Sequence, residues 1–204
     1  TFFGADIDNY VIMVQPTTTA DITPYGVNVT ADAGQSKVYG SADPTFTYQS
    51  TGLIGDDSFS GALARAAGET VAGGPYAITQ GTLDAGSNYA LTFVGNSFSI
   101  TPKSLTVTVD AEQSKVYGAA DPTLTYQSAG LVGADSLSGA LGRVAGENVA
   151  DGPYTINQGT LDAGSNYALT FVGNNFSITP KALTVTVDGS QTKVYGAADP
   201  TLTY

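Results

Sequence analysis

The chain has 204 residues, 42% of them hydrophobic and 12% charged, the composition of a folded protein and not of a disordered one. Cysteine, histidine and tryptophan are absent, which excludes disulfides, thiolate chemistry, histidine general bases and the commonest metal ligands. A net charge of −11 repels phosphate backbones and anionic membrane surfaces; it serves solubility or, on a sharper reading, weak divalent-cation binding by carboxylates at unit junctions.

Thr1 opens mid-pattern as T-F-F-G-A-D without a signal-peptide pattern, which reads as a segment of something longer. No apolar run is long enough to span a membrane as a helix. The phrase I-T-P then stands at Ile22–Pro24, Ile100–Pro102 and Ile178–Pro180. Proline cannot donate to a β-ladder, so each I-T-P reads as a boundary. The divisions are 1–24, the tail of a preceding divergent unit; 25–102 and 103–180, two complete repeats; and 181–204, the start of a further unit. Asn9-Tyr10 mirrors Asn88-Tyr89, whereas Gln15–Asp21 departs from the repeat. The motif Q-S-K-V-Y-G recurs at Gln35–Gly40 and Gln113–Gly118, with Q-T-K-V-Y-G at Gln191–Gly196. A spacing of about 78 residues is too long for a solenoid rung and right for a small domain. The two complete units are identical at about three-quarters of their positions.

Within a unit the apolar period is two. Leu105–Val109 alternates as a half-buried strand does, and Thr123–Tyr126 repeats the pattern. Tyr167, Leu169 and Phe171 share a face; Gly173-Asn174 offers a positive-φ turn; Phe176 and Ile178 return on the apolar face, which predicts a hairpin, repeated at Tyr89–Ile100. Asp57–Glu69 is open to two readings, a strand between glycine turns, which is preferred, or a short capped helix, which would favour a β-grasp unit. Five to seven strands give each unit one small core. Mainly β units, β-sandwich (immunoglobulin-like) or β-grasp-like, are expected in a tandem array, end to end as an elongated rod, each adding roughly 30–40 Å.

Tyr39 and Tyr117 read as buried or half-buried tyrosines before a glycine turn, with an exposed sugar platform as the functional alternative. Asp43, Asp121 and Asp199 precede proline and read as turn openers. Asn88 and Asn166 read as turn residues. Lys115, Asn166 and Glu147 are the candidates for an isopeptide crosslink with loss of ammonia, although nothing in the sequence places the three together. Arg65 and Arg143 stand four residues before Glu69 and Glu147 and read as surface ion pairs worth under about 1 kcal/mol. The pair Asp56-Asp57 becomes Ala134-Asp135 one unit on, which removes a paired-carboxylate hydrolase reading. Asn28-Val-Thr30 and Asn175-Phe-Ser177 match the glycosylation sequon and read as incidental. No phosphate loop, serine elbow or metal-ligand cluster appears, so no catalytic, cofactor-binding or metal residue is nominated.

The phrases L-T-V-T-V-D, K-V-Y-G-A-A-D-P-T-L-T-Y, G-L-V-G-A-D-S-L-S-G-A-L, G-P-Y-T-I-N-Q-G-T-L and N-Y-A-L-T-F-V-G-N-N-F-S-I-T-P together resemble the MBG or YDG-type repeats of large bacterial surface proteins, including filamentous-haemagglutinin-like adhesins. The resemblance covers nearly all of 25–204 and implies an extracellular, mostly-β repeat at the bacterial cell surface, used as a stalk or array, without catalytic residues. The expected function is a structural stalk or spacer of a secreted adhesin or surface fibre. The alternatives are carbohydrate or surface-polymer binding by avidity, or self-association into a filament or biofilm matrix. Expected partners are neighbouring repeats, other copies of the chain or surface polysaccharide, with neither nucleic acid nor membrane insertion.

Overall fold

The computed structural model describes residues 9–11, 13 and 17–204. The expected unit tail at 1–24 lies largely outside these residues; its described part forms no strand. Each complete repeat forms seven strands. The first holds β1 (Tyr25–Ala31), β2 (Ser36–Val38), β3 (Tyr48–Thr51), β4 (Ala64–Arg65), β5 (Tyr76–Thr79), β6 (Tyr89–Val94) and β7 (Ser97–Thr101). The second holds β8 (Lys103–Val109), β9 (Ser114–Val116), β10 (Tyr126–Ala129), β11 (Gly142–Arg143), β12 (Tyr154–Asn157), β13 (Tyr167–Val172) and β14 (Asn174–Thr179).

Each repeat makes two sheets. In the second they run β10-β8-β13 and β11-β12-β14-β9; the first repeats this order as β3-β1-β6 and β4-β5-β7-β2. The central strand β8 is antiparallel to β10 and parallel to β13, with Leu105 opposite Leu169 and Val107 opposite Phe171. Its alternation decides its facing, since Leu105, Val107 and Val109 are buried while Thr108 is exposed. Val109 packs with Tyr154, Ile156, Phe176 and Ile178, so both sheets supply one core. Phe176 is wholly buried, and such burial contributes roughly 1.5–3 kcal/mol. Leu124 packs on this cluster; its counterpart Phe46 sets its ring edge-on to Phe98 at 5.3 Å.

Two expectations are corrected. The predicted hairpins at 167–178 and 89–100 do not form. The facing holds, but β13 pairs with β8 while β14 pairs with β12 and β9, so the chain arches from one sheet to the other. Gly173 and Gly95 do not adopt positive φ. They are needed for close approach: a Cβ on Gly95 would lie 2.6 Å from the Ile78 carbonyl oxygen. Thr123–Thr125 is not a strand; Thr125 accepts from the Asp110 N–H at 3.1 Å and is otherwise held by the Gln113 side chain. The Thr125 N–H donates to Gln113 Oε1 at 2.8 Å, and Gln113 Nε2 donates to the carbonyls of Asp110 and Thr125, each at 3.0 Å. Asp57–Glu69 follows its preferred reading: the short strand β4 lies between positive-φ turns at Gly61 and Gly68, with a bridge from Ser60 to Asp84 and no helix. The strands of each repeat lie in one three-stranded and one four-stranded sheet.

Residues 181–204 carry counterparts of β8 and β9 yet form no strand. Gln191 still donates to the carbonyls of Asp188 and Thr203. The glutamine loop is thus a local property of the motif.

The chain packs as two compact units that do not coincide with the repeats. The second unit is Ser36–Asp43, Gly68–Gly74 and Ser99–Tyr204, so the tip of the first repeat is part of it.

Candidate functional site

The densest chemistry in the second repeat is a closed group of four charged side chains. Strand β9 carries Lys115, the loop after it Asp121, strand β11 Arg143 and the following turn Glu147. Lys115 Nζ stands 2.6 Å from Asp121 Oδ1 and 2.5 Å from Glu147 Oε2. Arg143 grips Asp121 with Nε on Oδ2 at 2.5 Å and Nη2 on Oδ1 at 2.9 Å. Its remaining N–H groups donate to Glu147 at 2.7 Å and to the carbonyls of Val144 and Gly146 at 3.1 and 2.7 Å. All five guanidinium donors are therefore used. The guanidinium also lies 5.1 Å from the Phe176 ring centre and 5.4 Å from that of Tyr154, which ties the group to the core.

The first repeat places Lys37, 8% exposed, 2.7 Å from Asp43 and in contact with Glu69. Arg65 lies over the rings of Tyr76 and Phe98, at 5.2 and 5.3 Å. Lys193 and Asp199 pair in the same six-residue spacing, though exposed.

Two cations face two carboxylates, and each holds the others charged. Arg143, then Lys115, brings the Asp121 carboxyl down to about 2. Lys115, then Arg143, lowers Glu147. Asp121 and Glu147 raise the Lys115 amine above its ordinary value. Burial opposes the charge on Lys37, but Asp43 and Glu69 outweigh it. None of these groups is poised near neutrality for proton transfer. Attack on a carboxamide needs a neutral amine, the reverse of the state in which Lys115 is held.

The isopeptide trio is corrected accordingly. Lys115 and Glu147 meet, but the Asn166 side-chain oxygen accepts from the Val71 N–H at 2.9 Å. The surface-pair reading of Arg143 is corrected too: the i,i+4 contact with Glu147 exists, but the Arg143 side chain is 8% exposed and Asp121 is its main partner. The signal for Asp121 was the recurring lysine-to-aspartate spacing, read only as a turn before proline.

The tyrosines of the Y-G motif are not core residues. Tyr117 is 49% exposed and Tyr195 fully exposed, while Tyr39 is half-buried and donates to Asp135 Oδ2 at 3.0 Å. A second tyrosine does structural work at the strand start. Tyr167 Oη donates to Asp135 at 2.5 Å and accepts from the Val132 N–H at 2.9 Å. Tyr89 does the same with Asp57 and Ile54. Asp57 is thus a hydroxyl acceptor, while Asp56 is exposed. The sequon residues Asn28 and Asn175 lie exposed on β1 and β14.

Among the described residues no group of three or more acidic side chains is arranged to hold a metal ion, and no helix is long and apolar enough to cross a membrane. Residues 27–99 and 105–177 each match the family model of the MBG domain, YGX type. Comparison with curated proteins and with solved structures gives no match.

Proposed function

The chain belongs to the MBG domain family of the YGX type, and from that premise we propose that its repeats are non-catalytic spacers of a secreted bacterial adhesin or surface fibre. They stand outside the cell and hold a binding region away from it. The observation that carries this reading is the use made of the charged side chains. In the second repeat the buried cations and their carboxylates neutralise one another and offer no group for chemistry. What the two repeats share is the means of staying folded: the glutamine loop, the lysine–carboxylate contacts and the arched strands. The test is reach. Arrays of two, four and six repeats, displayed on a bead with a distal tag, should place the tag at a height proportional to repeat number. A height independent of number would reject the spacer.

A further inference from the structure

Two tyrosine rings meet within the second compact unit. Tyr39, from the Y-G motif of the first repeat, sets its ring edge-on to Tyr167 with the centres 5.4 Å apart. Among the described residues no other two tyrosine rings pack on one another. Both hydroxyls donate to one oxygen, Asp135 Oδ2, at 3.0 Å from Tyr39 and 2.5 Å from Tyr167. The shared acceptor gathers the two phenol oxygens and, with them, the ring carbons ortho to each, where phenoxyl radicals couple. The contact is held from either side. The Val71 N–H donates to Asn166 Oδ1 at 2.9 Å, and a Cβ on Gly40 would lie 2.6 Å from Val132 Cγ2, so the backbone there rests directly on that side chain.

The composition leaves an oxidant few other targets. The chain has 12 tyrosines, no cysteine, no tryptophan and one methionine, so the side chains that usually intercept oxidation are nearly absent. Asp135 raises the Tyr39 phenol above its ordinary value, and burial, then Asp135, raises that of Tyr167. Both phenols therefore keep their protons at neutral pH. Loss of an electron makes a phenol strongly acidic, and a carboxylate already hydrogen-bonded to it takes the proton in the same step. Asp135 is exposed, so it hands that proton on to water, and both rings are half-buried, open enough for an electron to leave.

We propose that Tyr39 and Tyr167 form an oxidative crosslinking site, joined by an ortho carbon–carbon bond when a peroxide-driven one-electron oxidant acts on the protein, with Asp135 as the proton acceptor. Each phenol gives up one electron and one proton, and the two radicals join. Each ortho hydrogen then moves to its own ring oxygen and restores the phenol. Two hydrogens are lost in all, and a haem peroxidase uses them to reduce one hydrogen peroxide to two waters. The bond fixes the tip of the first repeat covalently to the second repeat. The site needs an oxidant that the spacer reading does not invoke, so its failure would leave that reading to its own test.

Treatment of the dilute 204-residue chain with a haem peroxidase and hydrogen peroxide at neutral pH tests this. The wild type should give a monomer lighter by two hydrogens, with dityrosine fluorescence and a proteolytic peptide pair joined at Tyr39 and Tyr167. Tyr39→Phe keeps the ring and should form no internal crosslink, with an unchanged circular dichroism spectrum. Asp135→Asn keeps the side-chain shape and removes the proton acceptor. It should slow the internal crosslink at least several-fold, while the exposed Tyr117 is oxidised as in the wild type. Crosslinks between chains only, an internal link between other tyrosines, or an internal crosslink formed as fast by either variant as by the wild type would overturn the proposal.

Discussion

Arg143 holds Asp121 in a two-point grip, Nε to Oδ2 and Nη2 to Oδ1, at the place where Lys115 also reaches the same carboxylate. Removing the carboxylate leaves two closely packed cations with Glu147 alone. Asp121→Ala should therefore destabilise the second repeat by about 1–3 kcal/mol in urea unfolding, the cost of orphaning buried charged donors. Asp199→Ala removes the exposed counterpart beside Lys193 and should leave the midpoint almost unmoved.

The same carboxylates set the acid limit. Asp121 titrates in the fold at about 2, below its ordinary 3.8, and Glu147 is lowered as well. A lowered carboxyl contributes stability that is full above its unfolded pKa and lost as pH falls through the folded one. Stability should thus fall between about pH 4 and pH 2. At the alkaline end Lys37 and Lys115 are raised above 10.5, so their contribution is full below that value and lost above it. Urea midpoints measured from pH 2 to 7 should show the acid fall, and Asp121→Asn should flatten it.

Phe176 is wholly buried between the sheets and lies beneath Arg143. Phe176→Ala should cost about 3–5 kcal/mol and loosen the ion group with the core. Loss of slow amide exchange in β12 and β14 with β1 and β5 unaffected is the expected pattern.

Glu112 sits at φ 61°, where the first repeat has Gly34 at φ 75°. A side chain in that region is strained, so Glu112→Gly should stabilise the second repeat by about 0.5–1 kcal/mol in thermal unfolding.

The strand alternation was legible because burial enforces it: Leu105, Val107 and Val109 face in as their spacing requires. The facing of Phe176 and Ile178 was legible for the same reason, and the repeat from its recurring letters. Pairing was not. Gly173-Asn174 looks like a hairpin turn, yet only the position of β12 tells that the chain must arch across. Gln113 explains the other miss, since a side-chain amide that replaces a ladder has no periodicity to read. The ion group escaped because its members lie on separate elements; Asp121 read as a turn opener until the fold brought Arg143 to it.

Small-angle scattering from chains that carry residues 25–180 once, twice and three times in tandem tests the spacer reading most directly. The maximum dimension should rise by a constant increment per added copy, roughly 60–80 Å for two small β units. A maximum dimension that levels off as copies are added would contradict it.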